Sequence, residues 1–191
     1  MIQGKSVLAI IPAREGSRRV PLKNITLYKG LPLIQHAIDH ALNSKYIDLT
    51  VISSDSQAIL NYAKPPVIGL LRPKYLASDH AKSEAVIVHA LHHIPLPGEY
   101  SPTLPDLFVL LQPTSPNRTP ADIDRCLEIA IHSQGRCTSR NPQGLLNGAV
   151  YVSTSSTFLS SLDLSSSQSY TMPDDRSLDI DTTEDFLKFL K

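Results

Sequence analysis

The sequence predicts an α/β protein in three layers, α/β/α, around a mostly parallel sheet. Two observations carry this. Short continuous apolar runs, of the kind buried on both faces of a parallel sheet, alternate with segments whose apolar residues recur at helical spacing. Three polar segments, Arg14–Asn24, Arg72–Ser83 and Gln112–Arg118, follow directly on apolar runs, where the ligands of such sheets bind.

The first run, from Ser6 to Ile11, is the opening strand. After the polar segment, Leu33, Ile34, Ala37, Ile38, Ala41 and Leu42 make the apolar side of a helix, with His36, Asp39, His40 and Asn43 opposite. Leu49 to Ser53 is the second strand. Ser54, Asp55 and Ser56 cap a short helix over Ala58 to Ala63, which Pro65 and Pro66 end. Val67 to Leu71 is a third strand, and Ser83 to Ile94 a helix with Ala85, Val86, Val88, His89 and Leu91 on its inner side. Pro95 to Pro105 reads as a loop, because too little chain follows it to build a second core. The 191 residues are therefore expected to form a single domain.

Leu107 to Leu111 is a central strand. Thr119 and Pro120 start a helix in the cap-then-proline order, running to about His132. Ala149 to Val152 is another strand, and Ser160 to Ser169 an exposed Ser-rich loop. At the end, Asp181-Thr-Thr-Glu184 reads as a capping box for a last helix, with Phe186, Leu187, Phe189 and Leu190 packing inward.

Composition excludes several classes of function. Lys and Arg number 18, and so do Asp and Glu, which argues against a surface built to hold nucleic acid through many phosphates. With 41% hydrophobic and 19% charged residues the chain is not disordered. No apolar run approaches the ~20 residues needed to cross a bilayer. The run Val7–Ala13 is followed by Arg14, Arg18 and Arg19 where a signal peptide needs small residues, so export is not expected. Two cysteines, Cys126 and Cys137, make neither a disulfide framework nor a zinc set, and fit reduced thiols of a cytoplasmic protein. The helix histidines His89, His92 and His93, like His36 and His40, are joined by no Asp, Glu or Cys in zinc-motif order. The aromatics are scattered, without a base-stacking platform.

Against that neutral background, the segment from Pro12 to Asn24 is a local concentration of cations. Arg14, Arg18, Arg19 and Lys23 lie within ten positions, answered only by Glu15. Gly16 and Ser17 allow a tight turn whose amides can face an anion, and the arginines can fork phosphate oxygens. A polyphosphate suits such a loop, which is not a Walker A loop because the second Gly and the Lys-Ser/Thr ending are missing. Near the end of the chain, Asp179 and Asp181 stand two apart. In an extended segment both point to one side and can share a divalent cation, which beside a polyphosphate means magnesium. The alternative is that Asp181 only caps the final helix.

These segments, with Ser53–Ser56, Leu71–Asp79, Leu111–Pro116, Asn147–Tyr151 and Arg176–Asp181, occur in an order that resembles the acylneuraminate cytidylyltransferases nearly end to end. That family makes CMP-activated sialic, legionaminic or pseudaminic acids from CTP. The similar Kdo cytidylyltransferases lack the Pro-Leu-Lys-Asn ending of the first block. The resemblance implies a Rossmann-like fold of the nucleotide-diphospho-sugar transferase type. It implies that Arg14 and Lys23 are catalytic, stabilising the α-phosphate and the leaving pyrophosphate. Gly16, Ser17 and Arg18 belong to the same nucleotide loop, with Arg18 where Lys is usual. Ala13, Asn24, Arg72 and Ser83 match cytidine-pocket positions. Gln112, Asn147 and Tyr151 match positions facing the acceptor sugar, and Asp179 and Asp181 match the magnesium carboxylates.

The resemblance also implies a long segment before Asn147, with an arm to the partner subunit and arginines for the acceptor carboxylate. Here that segment, around 133–147, is short, and Leu145 and Leu146 precede Asn147 where an Arg is expected. The expectation is a monomer or a homodimer with a reduced interface, in which Arg136 or Arg140 substitutes for the missing cation. Two other readings remain at this point. One is a glycosyltransferase holding a nucleotide sugar on Asp179 and Asp181; the other is a non-catalytic CTP or CMP-sugar binder.

Overall fold

The computed structural model describes residues 1–94 and 104–188. In chain order the elements are β1 (Val7–Pro12), β2 (Leu27–Tyr28), β3 (Leu31–Pro32), α1 (Leu33–Leu42), β4 (Leu49–Ser54), α2 (Gln57–Leu60), β5 (Ile68–Leu71) and α3 (Ser83–His93). Then come β6 (Leu107–Leu110), α4 (Pro120–His132), β7 (Arg136–Arg140), β8 (Leu146–Thr154), α5 (Ser155–Ser161), β9 (Ser169–Thr171) and α6 (Thr183–Lys188).

The main sheet has the order β5-β4-β1-β6-β8-β7-β9, while β2 and β3 form a separate hairpin. Strands β5, β4, β1 and β6 are parallel. β8 is antiparallel to both of its neighbours, and β9 is parallel to β7, so β8 alone is reversed. After β1 the chain builds β4 and β5 on one side, then crosses to β6 on the other. The order therefore reverses at the carboxyl end of β1, where the crevice of an open α/β sheet lies.

The alternation of β1 sorts the layers. Val7, Ala9 and Ile11 pack with Ile34, Ala37, Ile38 and Ala41 of α1 and with Ile123, Cys126, Leu127 and Ala130 of α4. Leu8 and Ile10 face the other way, onto Ile87, Ala90 and Leu91 of α3 and Phe158 of α5. Neither face of the strand meets water, which is why its sequence is uninterrupted. A third, smaller cluster joins Tyr28 and Leu33 to Ile180, with Leu178 and Phe186 against it. It docks the C-terminal segment on the β2–β3 hairpin.

Several expected details are corrected. Ser56 does not cap α2 with its side chain: its Oγ donates to Glu15 Oε1 at 3.1 Å, and the helix is confined to Gln57–Leu60. The Ser-rich stretch is not simply a loop. It begins inside α5, capped by Thr154, and ends in β9. The return from α4 is a strand, β7, paired with a β8 longer than Ala149–Val152. The final capping box is shifted by one residue. Asp185 Oδ2 accepts from Thr182 N at 2.9 Å and Thr182 Oγ1 accepts from Asp185 N at 3.3 Å, which leaves the Asp181 carboxylate free of the helix. Leu187 is exposed rather than inward, while Phe189, Leu190 and most of the loop expected at Pro95–Pro105 lie outside the described residues.

Candidate active site

The carboxyl ends of the parallel strands surround a cleft of about 380 Å³. Arg14, Lys23 and Asn24 from the loop after β1 line it, with Arg72 from the end of β5 and Ser83 at the start of α3. Gln112, Pro113 and Thr114 follow β6, and Asp179 and Asp181 come from the C-terminal segment. A hollow beside it is bounded by Gly16, Ser17 and Arg18 together with Arg14 and Asp79. Eight of the residues picked from sequence thus share one cleft and three adjoin it, although the chain separates Lys23 from Asp181 by 158 positions.

Each cation of the loop after β1 is held by oxygen. Arg14 Nη1 is 2.9 Å from Asp79 Oδ1 and donates to Ala77 O at 3.4 Å, and Arg18 pairs with the same carboxylate. Lys23 Nζ donates to Asp181 Oδ1 at 2.8 Å and to Ile180 O at 3.2 Å, and its side chain is 14% exposed. Arg19, which is far more open, reaches the other oxygen of Asp181 at 3.4 Å. Asn24 donates to Arg14 O at 2.9 Å, so it braces the loop as well as facing the cleft. Glu15 N donates to Asp55 Oδ1 at 3.0 Å, tying the turn to the end of β4.

Arg72 is buried, with its backbone N donating to Ser54 O at 2.8 Å. Burial lowers its pKa, the Asp55 carboxylate works against this, and Arg14 adds to it. Its Nε has no hydrogen-bond partner among the described residues. A buried guanidinium in the wall of a cleft, with a donor to spare, favours an anionic or strongly accepting ligand. Burial raises the Asp179 pKa, opposed by a hydrogen bond from the Thr114 side chain.

Three expected residues stand outside the cleft wall. Ala13 is fully buried, its N donating to Ser53 O at 3.0 Å. Asn147 is buried and its side chain is occupied: Oδ1 accepts from Ser139 Oγ at 2.6 Å and from Ala149 N at 3.2 Å, while Nδ2 faces Met172 Sδ and Ser177 Oγ. Tyr151 is half-buried, and burial followed by the Asp179 charge raises its pKa. Of the two candidate acceptor cations, Arg136 sits at the wrong end of the sheet. It is paired in register with Ser153 beside the start of β6, and donates to Thr157 O, Ser161 Oγ and Ser165 O. Arg140 lies at the cleft end of β7, donating to Gly144 O at 2.7 Å.

Sequence reasoning missed Thr114, Asp79 and Gly148. The first two stood within segments already marked as polar, so their residue types were the available signal. Gly148 has φ +71°, and a Cβ there would lie 2.8 Å from Gln112 Oε1 and 3.4 Å from Asp179 Oδ2. It is the bare spot that lets those two side chains approach. The histidines gather no metal set: among the described residues no group of three or more His, Cys, Asp or Glu could hold a metal ion. His89 and His93 stack at 4.3 Å, and His36 Nε2 meets Tyr28 O at 2.8 Å. No helix among the described residues is long and apolar enough to cross a membrane.

An open α/β sheet with a cationic loop and paired carboxylates at its switch point defines a nucleotidyltransferase class of site. Residues 8–116 match the family described as cytidylyltransferase, and the chain belongs to that family. It is 31% identical over 182 residues to the CMP-N,N'-diacetyllegionaminic acid synthase of Legionella pneumophila, covering 78% of each chain. It is 45% identical over 89 residues to a pseudaminic acid cytidylyltransferase of Campylobacter jejuni, covering 44% of this chain and 37% of that one. Its fold is that of a CMP:2-keto-3-deoxy-manno-octonic acid synthetase solved with CTP, with a TM-score of 0.70, 15% identity and 96% of both chains covered. The family is one of enzymes, nucleotidyltransferases, and membership in it sets aside the glycosyltransferase.

Proposed function

We propose that this cytidylyltransferase, acting as one domain, transfers CMP from CTP to the anomeric hydroxyl of a nine-carbon 2-keto sugar acid of the sialic, legionaminic or pseudaminic class. The acceptor oxygen bonds to the α-phosphorus and gives up its hydroxyl proton to water, while the bond from that phosphorus to the pyrophosphate oxygen breaks. The observation that carries the reading is the meeting of Arg14, Lys23 and Arg72 with Asp179 and Asp181 around one cleft at the end of β1. The names of the Legionella and Campylobacter relatives support the acceptor class.

On this reading Arg14 and Lys23 bind the phosphates and offset the charge that moves to pyrophosphate, with Gly16, Ser17 and Arg18 completing the loop. Arg72, Asn24 and Ser83 take the cytidine side, with Ala13 behind them. Gln112 and Tyr151 serve the acceptor, while Asn147 sets the start of β8. Asp179 and Asp181 would hold magnesium. They are hard oxygen donors on one wall, and two protein carboxylates suit an ion that keeps water and phosphate oxygens for its other positions. When bound, the cation supplies charge neutralisation at the phosphates.

The short turn between β7 and β8, only Asn141 to Leu145, leaves little for an intersubunit arm. On this reading the protein is a monomer or a homodimer of reduced interface, working in the cytoplasm. The test is pyrophosphate release from CTP with a panel of sialic, legionaminic, pseudaminic and Kdo acids, with and without a chelator. Release with a nine-carbon acid, lost on chelation and restored by magnesium, is expected. Release with none of the four acids would overturn the reading.

A further inference from the structure

The sequence of Gln112–Arg118 ends in an arginine that the site has not used. Arg118 is 1% exposed, which makes it the largest fully buried side chain among the described residues. Burial lowers its pKa to about 9, against the pull of Asp122, so it carries its charge at neutral pH. Its single Nη1 donates to Gln112 O at 3.2 Å and to Ala149 O at 2.5 Å. Nε and Nη2 have no partner among the described residues. The nearest carboxylate, Asp122, is already engaged by Thr119 N and Oγ1, at 2.8 and 2.7 Å, and by Arg176 at 2.9 Å.

What the two carbonyls have in common lies in the sheet register. The β6–β8 ladder ends at Leu110 opposite Tyr151, and continuing it two residues would set Gln112 opposite Ala149. The backbone stops short of that: Leu111 N still donates to Ile10 O of β1, and the chain then turns away through Ser115. The guanidinium bridges the strands where their own pairing stops. Immediately on either side of the bridge stand Gln112, in the cleft wall, and Gly148, against which the Gln112 amide packs. Filling space alone does not call for this group, because a fully desolvated charge with two unpartnered nitrogens is costlier than an apolar side chain of equal volume.

We propose that Arg118 is a positioning residue for the acceptor half of the active site, clamping the Gln112 turn to the start of β8 so that Gln112, Gly148 and Asp179 keep their spacing. It touches no substrate. The proposal rests on the acceptor reading above, and it separates the two halves of the site, since the clamp bonds nothing in the loop after β1.

The test compares wild type with Arg118→Met, which keeps volume and loses the fork, and Arg118→Lys, which keeps charge and one reach. Hydrogen exchange at the amides of 112–115 and 147–150 should rise about tenfold or more in Arg118→Met, with the rest of β1 and β4 unchanged. CTP affinity should stay within about twofold. Acceptor kcat/KM should fall by about tenfold to a hundredfold, the range that a misplacement of about 1 Å costs, with Arg118→Lys in between. If Arg118→Met does not fold, Arg118→Lys carries the same measurements. Unchanged exchange in both segments overturns the proposal, as does unchanged acceptor kinetics in a folded variant or an equal loss of CTP affinity and acceptor turnover. If wild type uses no acceptor, the functional reading fails on its own, and the exchange measurement still decides whether Arg118 holds the two strands.

Discussion

Removing the charge of Lys23 is the sharpest perturbation of the proposed phosphate site. The Nζ sits between Asp181 Oδ1 and Ile180 O with its side chain 14% exposed, so water screens it only partly. A unit charge ~4 Å from a reacting phosphate contributes about 4 kcal/mol at an effective dielectric of about 20. Losing a single donor to a developing oxyanion costs roughly 3 kcal/mol in mutational series. At about 1.4 kcal/mol per decade, Lys23→Ala should slow CMP transfer by about two to three orders of magnitude. The fold should hold, because the partner left behind, Asp181, is half exposed and can be solvated. The assay is pyrophosphate release at saturating acceptor, with a melting curve as control. A folded Lys23→Ala protein within about tenfold of wild type would refute the assignment of that charge to the phosphates.

Other outcomes are as definite. Arg140→Ala should raise the acceptor KM, whereas Arg136→Ala should leave it unchanged and lower the melting temperature, since Arg136 bonds Thr157, Ser161 and Ser165 at the opposite end of β7; the reverse pattern would reassign the carboxylate contact. Gly148→Ala should cost about 1–2 kcal/mol of stability from its positive φ alone, read by denaturant titration, and should also impair acceptor use by pushing on Gln112. His40, half-buried with its pKa lowered to about 3 chiefly by desolvation and then by Arg118 and His36, stays neutral in the folded chain. The unfolded chain takes up that proton below its ordinary value near 6.5, so stability present above pH 6.5 is lost as pH falls towards 3, by up to about 1.4 kcal/mol per pH unit. His40→Gln should flatten the stability-pH curve in that window, and parallel curves would contradict the assignment.

Read as a linear string, the chain already determined a good deal. The uninterrupted run of β1 and the spacing of α1 are local patterns, set by burial on both faces and on one face. The cations of the loop after β1 were legible because Arg14, Arg18 and Lys23 are close in sequence and stand out in a neutral protein. What local pattern could not decide is what lies opposite. Two capping boxes overlap at 181–185, and only the packing of Ile180 against Tyr28 and Leu33, with Asp185 bonded to Thr182, turns the Asp181 carboxylate to Lys23. Arg136 and Arg140 are equivalent as residues four apart; the strand between them puts one at each end of the sheet. Strands β7 and β9 carry too few apolar residues to announce themselves: β9 is the edge strand, and β7, between β8 and β9, is held by pairing on both sides. The role of Arg118 likewise depends on where the β6–β8 ladder stops, a property of two strands at once. Composition and spacing determine which chemistry the chain can offer, and long-range pairing decides which groups meet to perform it.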